Sequence, residues 1–486
     1  MLRRIAATQP AVETLRTSVY VDLDHTLIRT DLLWESLLAV ARQTPWVLWM
    51  VPLWLANGKA RLKHELAMRA KIDVATLPYC EEVLTGIRRA KASGKRVVLA
   101  TAAAEPLARR IAAHLGLFDA VLATRATNLK GLGKLSAIQA DARGDDFEYW
   151  GDSASDLPLF AAAAAATVVR PSTRLRRLAL DIAPSVHIID RRSSPLVTWL
   201  KAIRVHQWVK NVLLLLPLLA SHQVFNLHLL GLGLLSFVLF SLLASGNYLL
   251  NDLLDLPSDR LHPWKRGRAL ASGAISIPAA LCVAIAMLTS AAALTAAFAP
   301  PRFWLWLAGY FALTNLYSIR LKQMLLLDVM VLSSLYTIRI MAGGDITGIE
   351  LSEWLLAFSM FLFTSLAFAK RFIELKETLT TSDAQLSGRA YQHKDLEMVR
   401  VIGPVSGYIA VLVIALYINS PATLTLYPHP RFLWLICALL AYWITRIWFL
   451  ANRGEMHHDP IVFALRDVNS YVVGALAVAA AVAATI

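Results

Sequence analysis

The chain has 486 residues, 57% of them hydrophobic and 17% charged, with a net charge of +14 and a mean hydropathy of +0.52. A soluble domain carries about 25% charged residues, and its core does not produce repeated apolar stretches of about 20 residues, so a single soluble fold is excluded. The positive residues flank those stretches instead of forming one patch, which excludes a nucleic-acid partner; Cys80, Cys282 and Cys437 show no CxxC spacing, which excludes a disulfide scaffold or zinc site.

Composition shifts near residue 200, giving a mixed segment followed by an apolar one. The N-terminal MLRRIAATQP has two arginines with no apolar run behind them, so no cleaved signal is expected and the first domain belongs in the cytoplasm. Short β-prone runs at 18–21, 96–100, 121–124, 147–150 and 167–169 alternate with helical patterns at 58–70, 81–92, 105–115 and 133–142. That alternation predicts a parallel, doubly wound α/β sheet. A basic linker with Pro and Ser is expected over 186–200. Residues 45–55 (PWVLWMVPLWL) are too short to span a bilayer. They form either a cap that dips into the membrane interface, where Trp is favoured, or a buried cap core.

The first strand delivers VDLDHTL, with Asp22, Asp24 and Thr26 at its carboxyl end, where open α/β sheets place their sites. The chain turns there, so the side chain of one aspartate and the backbone of the other can face one cation. Thr101 follows the second strand, Lys134 opens a helix in GLGKLSAI, and GDSASD places Asp152 and Asp156 after a later strand. Lys130 is a rival to Lys134, which is preferred because it opens the helix.

The set DxDxT…T…K…GDxxxD resembles the haloacid dehalogenase (HAD) phosphatase superfamily over residues 14–185, with a cap inserted at 32–93. The resemblance implies Asp22 as nucleophile, Asp24 as general acid and then base, and Thr101 and Lys134 as phosphate ligands. It also implies Mg²⁺ held by Asp22, Asp24, Asp152 and Asp156, since a carboxylate can attack a phosphate dianion only when positive charge offsets the repulsion.

The remainder, 201–486, shows nine candidate spans: 208–225, 229–250, 275–297, 302–319, 325–345, 352–371, 401–419, 431–450 and 461–485. With the N-terminal domain inside, the loops on its side hold fourteen Lys and Arg residues, Arg389 among them, against Arg302 and Arg431 opposite. This satisfies the positive-inside rule and puts the C-terminus on the far side.

The second span ends in Asn251, Asp252, Asp255 and Asp259, followed by Lys265, Arg266 and Arg268. Positions 251, 255 and 259 share a helix side, with Asp252 close by. Pro257 disfavours a continuous helix, so Asp259 can sit on an unwound turn. Carboxylates at a membrane boundary are costly and functional, and oxygen-only ligation suits Mg²⁺ carrying a diphosphate.

NxxxDxxxD resembles the first signature of the UbiA superfamily of intramembrane prenyltransferases, over 200–486. That family's second motif carries two aspartates; here Tyr317, Arg320 and Lys322 lead to Asp328, but Leu332 stands where the second acid belongs. The RxxQWxKN segment (Arg204, Gln207, Trp208, Lys210, Asn211) is similar to decaprenyl-phosphate phosphoribosyltransferases, as are NDxxDxxxDRxHPxKR and the loop opened by Lys370, Arg371 and Glu374 and containing Arg389 and Tyr391. Taken singly, Trp208 could be an interface anchor and Arg204 and Lys210 topology charges.

The resemblance implies Mg²⁺ in both domains and phosphoribosyl transfer from phosphoribosyl diphosphate to a polyprenyl phosphate in a bacterial inner membrane. Lys210, Lys322 and Arg339 are candidates to hold the anionic groups, and the HAD-like domain would then dephosphorylate the product. A homo-oligomer is compatible with this reading. An aromatic prenyltransferase and a lipid or ion transporter are the alternatives; the missing acid at 332 and RxxQWxKN argue against the first, and the fused phosphatase domain against the second.

Overall fold

The computed structural model describes residues 17–125, 127–190, 194–379, 390–456 and 459–486. The N-terminal decapeptide, Arg389 and residues 191–193 of the expected linker lie outside these. The described residues pack as two compact units: one runs up to Ala202 and includes Leu249–Cys282, and the other joins Ile203–Tyr248 to Val283–Ile486.

The first unit is built on a six-stranded, all-parallel sheet ordered β3-β2-β1-β4-β5-β6. Its strands are β1 (Ser18–Val21), β2 (Val97–Ala104), β3 (Ala120–Thr124), β4 (Phe147–Gly151), β5 (Ala165–Val169) and β6 (Val186–Ile189). β1 is central and buried throughout, as its β-branched and aromatic SVYV favours. The period-2 alternation sorts its side chains between two layers. Val19 and Val21 pack with helices Glu81–Ala92 and Glu105–Leu115. Tyr20 packs with Tyr149 and with helices Leu132–Ala142 and Thr173–Ile182 on the other face.

Two expectations need correction here. The 186–200 segment is not simply a linker: it opens as strand β6, whose Ile189 carbonyl accepts the Arg170 N–H at 2.7 Å, and residues from Pro195 to Ala202 are helical. An edge strand needs one partner and a half-buried face, so the short VHII carries little sequence signal. β2 runs on to Ala104, with a register irregularity between Ala100 and Ala104, so Thr101 sits inside an irregular strand instead of after one.

The apolar run at 45–55 forms a 3₁₀ helix, Pro45–Met50, and then the helix Val51–Ala56. Trp54 is buried and Val47, Leu48 and Val51 pack against the same core, but Trp46 is 68% and Trp49 88% exposed, so a buried cap core accounts for only part of the run.

Among the described residues seven helices are long and apolar enough to cross a membrane, which makes the chain an integral membrane protein. They are Leu227–Leu254, Ile277–Phe298, Leu327–Thr347, Glu353–Glu377, His393–Ile418, Pro430–Arg453 and Val468–Thr485. Two of the nine expected spans fall short. The one at 302–319 folds as Phe303–Ile319, 17 residues with Thr314 and Asn315 in its last turns. The one at 208–225 becomes an eleven-residue 3₁₀ helix, Val205–Leu215, followed by Leu216–Ala220 with Pro217 in its first turn. A 3₁₀ run longer than about four residues is uncommon and marks special local demands. One such demand is visible: a Cβ on Gly343 would lie 2.1 Å from the Leu214 carbonyl oxygen, so only glycine lets helix Leu327–Thr347 meet this backbone.

Candidate active sites

In the first unit, the carboxyl ends of β1 and β4 bring Asp22, Asp152 and Asp156 together, with one ligand oxygen of each within 4.8 Å of the others. Asp22 is positioned by its backbone, whose N–H donates to the Trp150 carbonyl at 2.8 Å, while its Oδ1 accepts the Leu23 N–H at 2.8 Å. Thr26 donates to Asp152 at 3.3 Å. Asp156 closes a capping box with Ser153, which fixes the GDSASD turn. Lys134 is 2% exposed and stands 3.0 Å from Asp22 and 3.6 Å from Asp156, donating also to the Tyr149 hydroxyl at 3.0 Å. Lys130, by contrast, is exposed.

Electrostatics follow from this crowding. Burial lifts the Asp22 carboxyl to about 6 against the pull of Lys134, and burial with Asp22 and Asp156 nearby lifts Asp152 to about 8. Burial works against the Lys134 ammonium, but Asp22 and Asp156 outweigh it and hold its pKa above the lysine norm. Three carboxylates, two of them buried, against one ammonium leave a negative surplus on oxygen donors, a set that fits a hard divalent cation such as Mg²⁺.

Asp24 is not in this trio. Its Oδ1 accepts the Leu32 N–H at 2.9 Å, and burial with Asp31 beside it raises its carboxyl well above the usual range. It therefore keeps its proton more firmly than an ordinary aspartate, as a group that protonates a leaving oxygen must. The buried Thr101 hydroxyl accepts the Ala103 N–H at 3.0 Å. Sequence reasoning missed Lys63 on the cap helix Lys59–Arg69, which donates to the Ala102 carbonyl at 2.6 Å and to Asn128 at 3.0 Å. Burial lowers its pKa, while Asp24, Asp31 and Asp22 oppose that shift. A lysine in a cap has no motif spacing to betray it.

The same unit holds the acidic turn. Helix Leu227–Leu254 ends before Asp255, and a new helix, Leu256–Leu261, starts with Pro257 in its first turn, where a missing N–H costs nothing. The Asp255 N–H still donates to Asn251 at 2.8 Å and the Asp259 N–H to Asp255 at 2.9 Å. Side chains sort differently from the expected face. Asp252 and Asp259 are buried and share Arg268, whose Nη1 lies 3.1 Å from one and 2.6 Å from the other, whereas Asp255 is exposed. Lys265 lies 3.9 Å from Asp259, and Arg266 is exposed. One guanidinium nitrogen bonded to two carboxylates marks where positive charge is needed, and two carboxylates with substrate phosphates are an ordinary Mg²⁺ ligand set.

In the second unit Asp328 and Arg371 are both fully buried and 2.5 Å apart. Tyr391 donates to the same aspartate at 2.9 Å, as does the Val329 N–H at 2.7 Å, and Arg371 also engages Glu374 and the Tyr317 hydroxyl, the latter at 3.0 Å. Lys210, its side chain 10% exposed, pairs with Asp459 at 2.8 Å; Lys370 stands 3.7 Å from the same carboxylate. Asp459 was not singled out from sequence, because its partner lies 249 positions away.

Asn211 donates to Ser241 at 2.9 Å and accepts from Arg339 at 2.8 Å. The buried Arg339 also donates to Tyr310 at 2.7 Å and lies over its ring; among the described residues no carboxylate pairs with it. Arg204 stacks 4.7 Å from the Tyr248 ring centroid, and its carbonyl accepts the Gln207 N–H at 2.7 Å. Trp208 donates to Ser245 at 2.8 Å, which makes it more than an interface anchor. Lys322 sits half-buried in the turn Leu321–Gln323. A cavity of about 540 Å³ has Lys210 in its wall among apolar residues that include Tyr336, Phe363, Leu366, Leu440 and Trp443.

Comparison with known proteins agrees with this two-part layout. The UbiA prenyltransferase family matches residues 212–471, and haloacid dehalogenase-like hydrolase matches residues 19–161. The chain is 36% identical over 467 residues to the uncharacterized protein y4nM of Sinorhizobium fredii, covering 95% of this chain and 90% of that protein. It is 36% identical over 281 residues to the nodulation protein NoeC of Azorhizobium caulinodans, covering 57% of this chain and 90% of the relative. It is 38% identical over 180 residues to the decaprenyl-phosphate phosphoribosyltransferase of Mycobacterium tuberculosis, covering 36% of this chain and 59% of that enzyme. With a buried carboxylate site on a parallel sheet, an acidic turn after an apolar helix and a family match across most of its apolar half, the chain belongs to the UbiA prenyltransferase family and carries a haloacid dehalogenase-like domain before it.

Proposed function

We propose that this protein transfers the 5-phosphoribosyl group of phosphoribosyl diphosphate to a polyprenyl phosphate, and that its HAD-like domain then removes the 5-phosphate. The observation that carries the reading is the commitment of Asp328. Both its oxygens are engaged, by Arg371 on one side and Tyr391 and the Val329 N–H on the other, and Leu332 stands where a second acid would be needed. A second metal cluster of the kind expected for prenyl diphosphate chemistry is therefore short of ligands, and the acidic turn at Asp252–Asp259 remains as the diphosphate site. Likeness to a decaprenyl-phosphate phosphoribosyltransferase supports the same donor.

In the transfer step an oxygen of the lipid phosphate forms a bond to the anomeric carbon as the bond to diphosphate breaks. A phosphate monoester, with a second pKa of about 6, is largely dianionic at neutral pH and needs no strong base. Asp252 and Asp259, with Asp255 on the same turn, would hold Mg²⁺, which supplies charge neutralisation for the departing diphosphate. Lys210, at the wall of the apolar cavity, suits the lipid phosphate, with the isoprenoid along Phe363, Leu366 and Leu440. Arg339, buried without a carboxylate among the described residues, is a second cation for an anionic group.

In the hydrolytic step Asp22 attacks the 5-phosphorus and Asp24 protonates the leaving 5-oxygen; Asp24 then takes a proton from the water that cleaves the aspartyl phosphate. Asp22, Asp152 and Asp156 would hold the second Mg²⁺, and Lys134 offsets the phosphate charge. The exposed Trp46 and Trp49 suit a cap working at a lipid interface. The orientation that goes with this reading places the HAD-like domain on the cytoplasmic side of a bacterial inner membrane.

The test is purified full-length protein with Mg²⁺, polyprenyl phosphate and labelled phosphoribosyl diphosphate. Label should enter the lipid phase, and none entering would sink the reading. In Asp22→Asn the labelled lipid should retain its 5-phosphate; release of that phosphate at the wild-type rate would separate the two activities.

A further inference from the structure

The segment Leu249–Cys282, which carries the acidic turn, packs in one compact unit with the residues up to Ala202. Its anchor is a buried ion pair. Arg260 donates to both oxygens of Glu35, at 2.6 and 3.1 Å, with the two side chains 6% and 7% exposed. Each group is also held by a further bond. Arg260 Nε donates to the Ala271 carbonyl at 3.2 Å, and Glu35 also accepts the Thr30 hydroxyl at 2.7 Å. Two-pronged guanidinium–carboxylate pairs fix orientation as well as distance.

The fit around this pair is close. A Cβ on Gly273 would fall 2.4 Å from the Arg29 carbonyl oxygen, and φ there is +70°, so glycine alone lets the loop lie against that backbone. Helix Leu256–Leu261 also packs against the turn Val74–Thr76 of the cap.

What each end of the pair is attached to gives it meaning. Arg260 directly follows Asp259, the carboxylate that shares Arg268 with Asp252. Glu35 lies in the first turn of helix Leu32–Gln43, whose Leu32 N–H is bound by Asp24 and whose N-cap is Asp31. One helical turn thus links the carboxyl proposed to protonate the sugar oxygen to the turn proposed to hold the diphosphate.

We infer that Glu35 and Arg260 form a clamp through which the HAD-like domain sets the position of the Asp259 turn, so that the transfer step depends on the N-terminal domain. The roles assigned to the two ends rest on the functional reading above; the clamp itself rests on the contacts. Both are positioning residues, since neither is placed to touch substrate. Loss of the Arg260 charge frees the helix Leu256–Leu261 and weakens diphosphate binding, with less effect on turnover at saturation. A charge exchange, Glu35→Arg with Arg260→Glu, restores the pair and should restore the position.

The test uses the full-length protein in lipid nanodiscs with three measurements on wild type, Arg260→Gln, Glu35→Gln and the exchanged double variant. Hydrogen exchange of the amides in 256–261 should quicken at least tenfold in each single variant and return towards wild type in the double. The KM for phosphoribosyl diphosphate should rise at least tenfold in the single variants, with kcat reduced less and recovery in the double. Hydrolysis of p-nitrophenyl phosphate should stay within twofold in Arg260→Gln. Wild-type exchange in folded Arg260→Gln overturns the clamp whatever the catalytic results. Quickened exchange with unchanged KM overturns the dependence of transfer on it. Failure of the wild type to transfer the sugar, with exchange behaving as stated, overturns the functional reading and leaves the clamp standing.

Discussion

At the level of single residues, Asp22 and Asp152 of the HAD-like site carry raised pKa values because burial, with other carboxylates close by, disfavours their charge. Asp22 near 6 and Asp152 near 8 hold protons that an incoming cation must displace. A raised acid pKa favours the protonated form below that value, and only the ionised form ligates. Mg²⁺ affinity at this site should therefore climb as pH rises from 6 to 8 and level off above, with proton release on binding. Titration calorimetry in buffers of different ionisation enthalpy measures both, and a flat profile would contradict the assignment. Lys134 should matter as charge: Lys134→Met should slow p-nitrophenyl phosphate hydrolysis by about 10²–10³-fold, the range for removing one preorganised electrostatic donor. The aspartates were legible because each follows a strand of an open sheet, where chemistry collects, and Lys134 because it opens a helix. Lys63 was not, because it arrives from the cap.

Among the elements, the acidic turn shows how a helical wheel can be right in kind and wrong in detail. At about 100° per residue, a spacing of eight drifts by about 80°, whereas a spacing of seven returns to within about 20°. The structure joins Asp252 and Asp259, seven apart, and leaves Asp255 exposed where the helix breaks. Arg268, seen from sequence only as one of the basic residues after the acidic run, serves the same pair. Distant partners were hidden for a different reason: no local spacing links Lys210 to Asp459 or Arg371 to Asp328. The second of these pairs lends itself to a stability measurement. Arg371→Met would leave Asp328 buried without its counter-charge, which costs about 3–5 kcal/mol. Thermal unfolding of the detergent-solubilised variant should show that loss, and a midpoint equal to wild type would mean the pair is not what holds these helices. The spans expected at 208–225 and 302–319 fold instead as a 3₁₀ run followed by a five-residue helix and as a 17-residue helix, differences of backbone that apolar composition alone does not carry.

For the whole molecule, the exposed Trp46 and Trp49 predict that the cap meets lipid. A spin label introduced by Trp49→Cys, in a Cys282→Ser background because Cys282 is the exposed native thiol, should be more accessible to oxygen than to a polar relaxing agent in nanodiscs. The reverse order would place the cap in water. The two-part composition made both halves legible from sequence, but not that the first packed unit is discontinuous along the chain. That discontinuity has a consequence for biosynthesis. A ribosome releases the N-terminal residues first, yet Glu35 meets Arg260 only after helix Leu227–Leu254 has been made. Until then the nascent domain carries an unmatched carboxylate at the surface it will later cover. Completion of the first unit thus waits on synthesis of a segment that follows a membrane helix, and a chain cut short before Arg260 leaves the soluble domain without the partner of Glu35.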